Sequence, residues 1–206
     1  MTCKSADAVL FFRAWLSAPL QVASVTPSGR ALSSLMTSDI SADTGIVIEL
    51  GPGTGVFTEA LLNRGVAESD LVLVEYGMEF VAKLSLRFPA ARTIQMDAAH
   101  LRKITVLPSA SVGAVLSGLP LLSMPMRKVI AILEGAFSHL RQEGALYQFT
   151  YGPRCPIPRP VLDRLGLKAT FVGRTFANIP PAAVYRISRR KPRPPTRLDE
   201  RAANAE

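Results

Sequence analysis

Three carboxylates set the chemistry this sequence can do. Glu49 stands just before a glycine-rich turn in "VIELGPGTGVFTEALL" (Val47 to Leu62). Glu75 closes the apolar run "LVLVE", and Asp97 lies in "QMDAAH". Glycines at 51, 53 and 55 let the chain turn sharply from strand to helix and let a ligand come close to the backbone. The turn lacks the Gly-Lys-Ser/Thr ending of a phosphate-binding loop, which argues against ATP or GTP hydrolysis. It also lacks the GxGxxG spacing of dinucleotide enzymes.

Glu49 decides among the remaining ligands. A carboxylate there repels a pyrophosphate and attracts a ligand carrying an ammonium and a sulfonium. S-adenosylmethionine (SAM) carries both. Glu75, roughly twenty residues past the turn, is where an acid accepts both hydroxyls of an adenosine ribose. Asp97 can accept the adenine amino group, and Tyr76 and Met96 can hold the ring between them. Asp97 alone also suits a helix N-cap. The expected cofactor set is Glu49, Gly51, Gly53, Thr54, Gly55, Glu75, Tyr76, Met96, Asp97, Ala98 and Ser117.

These residues need elements to hold them. Aliphatic runs predict strands at 46–50, 71–75, 93–96, 112–117 and 145–150, with two more alternating strands at 168–176 and 182–188. Helical patterns cover 5–18, 28–36, the stretch from the glycine turn to about 64, the stretch up to 88, and 126–140. Strands alternating with helices imply a doubly wound, mainly parallel, seven-stranded α/β sheet of Rossmann-like form. Its last two strands, joined through "NIPPA", form an antiparallel pair at one side. The expected organisation is an N-terminal amphipathic helix and linker (1–27), one α/β domain (28–190) and a disordered basic Pro/Arg-rich tail (191–206).

A chain of 206 residues holds one such domain with a full core. The net charge is +8, of which +4 falls from Arg186 onward, where seven bases face three acids. A polyanionic partner follows, and nucleic acid and anionic lipid both qualify. Cys3 and Cys155 have neither metal-ligand spacing nor a disulfide framework, so no metal is expected and a reduced, cytoplasmic setting is the default. Asp7 and Arg13 interrupt the first apolar run, against a signal peptide. The uncharged stretch 104–126 is long enough to span a bilayer, but its prolines, glycines and serines favour a buried strand with loops.

The stretches "ELGPGTG", "VEYG" and "MDA" match the first three motifs of the class I SAM-dependent methyltransferases, and the chain resembles that family. More narrowly, it resembles the bacterial phosphatidylethanolamine N-methyltransferases through "FFRAWLSAPLQVASVTPS", "ELGPGTGVFTEALLNRGV", "SGLPLLSMP", "YGP" and "NIPPAAVY". The resemblance runs from about Phe11 to Arg190. It implies a monotopic enzyme that moves methyl groups from SAM to the head-group amine of phosphatidylethanolamine, toward phosphatidylcholine. It also implies that Thr26 and Ser28 close over the methionine end of SAM, though Ser28 equally suits an N-cap.

The residues bear on a lipid acceptor in several ways. On a helical wheel Phe11, Phe12 and Trp15 share an apolar arc, with Arg13 opposite and Lys4 at its edge. Such a helix suits a membrane interface, and equally suits docking on the core. Motif four reads Ser117-Gly118-Leu119-Pro120-Leu121, without the Asn and aromatic residue that base methylation uses. The carbonyls of Ser117 and Leu119 are expected to orient the amine. Proton removal can use Tyr151, Tyr185 or His100, directly or through water; Tyr151 is favoured, and His100 and His139 are weaker choices, His139 being placed on a surface helix. Tyr151 and Phe176 offer an aromatic wall for cationic intermediates, Arg154 a phosphate contact, and Asn178 and Tyr185 complete the acceptor set. A monomer, peripheral on the inner membrane, is expected. The alternatives are an rRNA adenine-type or small-molecule N-methyltransferase, and a membrane-binding SAM sensor without catalysis.

Overall fold

A computed structural model describes residues 27–190, apart from 106, 108–109 and 179–180. The expected interfacial residues Lys4, Phe11, Phe12, Arg13 and Trp15, the expected SAM contact Thr26, and the tail 191–206 lie outside the described residues. Seven strands form one sheet: β1 (Val47–Leu50), β2 (Leu71–Glu75), β3 (Arg92–Gln95), β4 (Val112–Ser117), β5 (Leu140–Thr150), β6 (Leu167–Thr175) and β7 (Ala182–Arg189). Their order is β3-β2-β1-β4-β5-β7-β6. The first five are parallel; β7 runs antiparallel to both β5 and β6, so β6 points the same way as β5. The order reverses between β1 and β4, and in open α/β sheets that crevice beyond the carboxyl ends is where ligands bind.

Helices α1 (Pro27–Met36), α2 (Val56–Asn63) and α3 (Met78–Arg87) cover one face; α4 (Met126–His139) and α5 (Arg159–Arg164) cover the other. Period-two alternation assigns each strand residue to a layer. Ile48, Leu50, Val72, Val74 and Val115 pack beneath α4, whereas Val47, Leu71, Leu73, Ala114 and Leu116 pack beneath α1–α3. Burial on both faces explains why β1 and β4 are unbroken apolar runs apart from one acid and one serine. Within the uncharged stretch 104–126, Val112–Ser117 form β4 and Leu121–Ser123 a 3-10 turn, and among the described residues no helix is long and apolar enough to cross a membrane.

Two expectations need correction, and one helix was not foreseen. β5 begins at Leu140 rather than Ala145, because Leu140 pairs with Val112 before a register shift resumes regular pairing at Ala145. The short helix α5, marked by Pro160 in its first turn, had no periodic signal. His139 is not on a surface: it is buried at the end of α4, with Nε2 2.9 Å from the Leu101 carbonyl oxygen, which makes it a packing residue between α4 and the turn before β4.

Candidate functional site

Glu49 is fully buried in mid-β1, on the α1–α3 side, and α2 begins just beyond the glycine turn. That geometry brings Thr58 on α2 to it: Thr58 Oγ1 donates to Glu49 Oε2 at 2.6 Å. Glu49 Oε1 is buried and has no hydrogen-bond partner among the described residues. Burial pushes this carboxyl up to about 7; the Thr58 hydroxyl works against that rise and the nearby Glu75 charge adds to it. An acceptor with one oxygen held and the other bare is poised for a donor that arrives with a positive charge.

The turn itself leaves room for that donor. Gly51, Gly53 and Gly55 all have positive φ. A Cβ on Gly53 would meet nothing within 4 Å, so the backbone there borders open space, whereas one on Gly55 would strike the Phe88 ring. Thr54 is half-buried beside them, its carbonyl held by Arg87. Glu75 anchors the turn to the end of β2: Oε2 accepts from Gly53 N (3.1 Å), and Oε1 from Tyr76 N (2.8 Å) and Gly77 N (2.9 Å). A carboxylate has about four acceptor positions, so one remains for a ligand hydroxyl.

Asp97 plays two structural parts as well. Oδ1 accepts from Ala99 N at 3.0 Å, capping a 3-10 turn, and Oδ2 pairs with Lys128 Nζ at 2.7 Å. Partial burial would raise its carboxyl, but the Lys128 and Ala99 donors outweigh this and hold it below the usual range. Ala98 is buried, Met96 is half-buried against the α4-side core, and Tyr76 is 75% exposed at the mouth. The hydroxyls, amine and cationic sulfur of SAM match this donor-poor, acid-rich end of the sheet. Ser28 lies in the first turn of α1.

The acceptor residues divide between the two faces. Tyr151 sits with Phe149 on the α1–α3 side, ring centroids 5.6 Å apart and edge to face. Burial raises its phenol above the ordinary value, partly offset by a hydrogen bond from Asn178. Tyr151 is therefore a neutral phenol near neutral pH, able to accept an N–H but not to act as a phenolate base. Asn178 is buried, and its Oδ1 has no hydrogen-bond partner among the described residues. Tyr185, by contrast, packs on the α4–α5 side, where it lines a cavity of about 630 Å³ with Arg154, Arg159, Lys168 and Arg190. Phe176 points outward, 75% exposed. Ser117 is buried at the end of β4, and the Leu119 carbonyl accepts from Gln148 Nε2 at 3.0 Å. His100 is exposed.

Solved structures share this architecture. A TehB-like SAM-dependent methyltransferase from Corynebacterium glutamicum superposes with a TM-score of 0.59 at 12% identity, over 92% of this chain and 100% of its own. The fold is that of the class I SAM-dependent methyltransferases. Within that methyltransferase fold, N-methyltransferase NodS from Bradyrhizobium japonicum, solved with S-adenosylhomocysteine, gives 0.61 at 13% identity, over 88% of this chain and 98% of its own. In sequence, the ornithine lipid N-methyltransferase of Singulisphaera acidiphila is 26% identical over 193 residues, covering 87% of this chain and 94% of that protein. No protein-family model matches the chain.

Reading the sequence for this methyltransferase fold missed three side chains that shape the site. Thr58 holds Glu49; its signal was a hydroxyl beside Phe57 at the start of α2, just past the glycine turn. Lys128 neutralises Asp97 from α4, a contact no local pattern announces. Gln148 is 1% exposed, directs its amide hydrogens to the carbonyls of Leu119 and Phe149, and leaves Oε1 unpartnered beside the end of β4. A polar residue amid the apolar run of β5 was the visible clue.

Proposed function

We propose that the chain is a SAM-dependent N-methyltransferase whose acceptor is the head-group amine of phosphatidylethanolamine and its methylated derivatives, leading toward phosphatidylcholine. The observation that carries the cofactor is the buried Glu49 with its bare Oε1 beside the open backbone of Gly53. Bound SAM supplies an electrophilic methyl on a cationic sulfur. The residues of this chain hold and orient. Glu49 takes the ammonium of the methionine end, Glu75 a ribose hydroxyl and Asp97 the adenine amino group, with Tyr76 over the ring. The acceptor nitrogen approaches past the end of β4, guided by the carbonyls of Ser117 and Leu119, with the Tyr151 oxygen accepting one N–H. Alignment, more than acid–base power, drives an in-line displacement. The proton of the lipid ammonium leaves to water.

A lipid acceptor is supported by the Singulisphaera relative, which this chain matches across nearly its whole length. The same relative favours a second reading, in which the acceptor is an ornithine lipid. Both head groups join a free amine to an anion, a carboxylate in the ornithine lipid and a phosphate in phosphatidylethanolamine, and the Arg154 guanidinium suits either. The position of the enzyme, on this reading, is peripheral at the inner membrane, with Phe11, Phe12 and Trp15 of the N-terminal stretch among its contacts. The test is transfer of labelled methyl from SAM into vesicles containing phosphatidylethanolamine, and in parallel into vesicles containing ornithine lipid, with the lipid products separated. Label in mono-, di- and trimethylated ethanolamine lipids supports the first reading. Label only in ornithine lipid replaces it with the second, and label in neither, with SAM binding intact, overturns both.

A further inference from the structure

Resting on the lipid-acceptor reading, we infer that the ligand-bearing rim of the sheet is itself a membrane-docking face, which sets Met78, Leu122, Met126 and Phe176 into the interface of an anionic bilayer. Seven large apolar side chains are exposed among the described residues. Five of them belong to one end: Tyr76 and Met78 follow β2, Leu122 and Met126 follow β4, and Phe176 follows β6. Since β6 points the same way as β5, all five lie beyond the carboxyl ends of the strands, where the acceptor must enter. Only Leu86, near the far end of α3, and Phe171, in mid-β6, lie elsewhere.

Scattered apolar side chains on a surface need no explanation, but their concentration on one rim does. Tyr76 is accounted for by the adenine of the cofactor. The other four have no such partner, with exposures of 70% (Met78), 59% (Leu122), 40% (Met126) and 75% (Phe176). From β2 to β6 is five strand spacings, about 24 Å, so they span the rim as a broad face rather than a point. Arg127, Arg154 and Arg174 are exposed at the same end, outside any ion pair among the described residues. The carboxylates there belong to the cofactor set or, in Glu59, pair with Arg87; Glu79 alone is both outside that set and exposed. Apolar tips among cations complement acyl chains beneath anionic head groups. Docked this way, the rim meets a lipid amine at head-group depth, and no acyl chain has to leave the bilayer.

The test compares the full chain with a Met78→Gln/Leu122→Gln/Met126→Gln variant and a Leu86→Gln control. Two quantities are read: co-sedimentation with vesicles of phosphatidylglycerol and phosphatidylethanolamine, and methyl transfer to phosphatidylethanolamine dispersed in detergent. The triple variant is expected to lose about tenfold in vesicle partition while Leu86→Gln stays within about twofold, and both should keep turnover in detergent. The single Leu122→Gln, with an expected loss of about threefold, carries the test if the triple variant fails to bind SAM. A triple variant that partitions like the parent, or an equal loss in Leu86→Gln, overturns the docking face. Tighter binding to single-stranded RNA than to vesicles, lost in the same variant, overturns it in favour of a nucleic-acid surface. If the parent methylates no lipid in either dispersion but the triple variant still loses vesicle binding, the docking face stands and the lipid-acceptor reading falls.

Discussion

The two halves of the carboxyl rim are built differently. At the ends of β1, β2 and β3, Glu49 sits one residue inside its strand, Glu75 at the strand end and Asp97 two residues past it, and each has a partner: Glu49 in Thr58, Glu75 in the N–H groups of residues 53, 76 and 77, Asp97 in Ala99 and Lys128. At the ends of β4 to β7, the polar residues come from distant segments and divide between the faces, Tyr151 with Asn178 on one and Arg154 with Tyr185 on the other. The first half is a preformed cradle. The second has two carboxamide oxygens, on Gln148 and Asn178, without a partner among the described residues. A cradle already partnered suits a fixed donor, whereas bare carboxamide oxygens leave contacts open for an acceptor.

The strongest way to break that comparison is Glu49→Gln. Losing a buried charge-assisted contact should weaken SAM binding by about a hundredfold in calorimetry. The ligand-free chain should respond in the opposite direction. The folded-state value of Glu49, about 7, lies above its ordinary 4.5, so the unfolded chain gives up its proton first as pH rises. Stability therefore falls between those two values, by about 3 kcal/mol in all, and is flat above pH 7. Glu49→Gln removes that fall, which chemical denaturation at pH 5 and pH 8 will register. A variant that binds SAM like the parent sinks the cradle argument.

Tyr151→Phe probes the other half. Deleting one acceptor contact should lower kcat about tenfold and leave SAM affinity unchanged. Because burial raises the phenol above its usual value, the kcat–pH profile should show no tyrosine ionisation near neutrality. Loss of SAM affinity in this variant would erase the distinction between the halves.

A smaller effect sharpens the same contrast. If the ammonium of SAM needs the Glu49 carboxylate, affinity should rise about eightfold from pH 6 to pH 7.5. Thr58→Val removes the donor that opposes the rise in Glu49, so it should move this window to higher pH. Titrating SAM affinity against pH for both chains checks it, and a flat profile in the parent contradicts the ionised-carboxylate pairing.

What the sequence disclosed follows the same division. The strand limits 71–75 and 112–117 were legible because fully buried parallel strands are unbroken apolar runs ended by a polar residue. Glu49, Glu75 and Asp97 were legible because chain order alone places them at one end of the sheet. Contacts made across elements were not. Nothing local ties Lys128 to Asp97 or Asn178 to Tyr151, and the surface placement of His139 failed because a histidine closing a helix gives no sign that Leu101 waits beneath it.

The smallest expected effect belongs to Arg154→Ala. Arg154 is exposed at the mouth of a cavity whose other cations are Arg159, Lys168 and Arg190, with Arg159 and Arg190 both paired to Asp163. A solvated guanidinium contributes little to a single anion contact, so KM for vesicle phosphatidylethanolamine should rise only about threefold with kcat unchanged. Two features make this a usable test. Screening requires that the difference between variant and parent shrink as salt rises from low to physiological strength. The cationic cavity also retains Lys168, so Arg154→Ala/Lys168→Ala should exceed the single change if both face one anion. If the double variant matches the parent at low salt, the anion of the head group is held elsewhere, and the α4–α5 face is no part of the acceptor site.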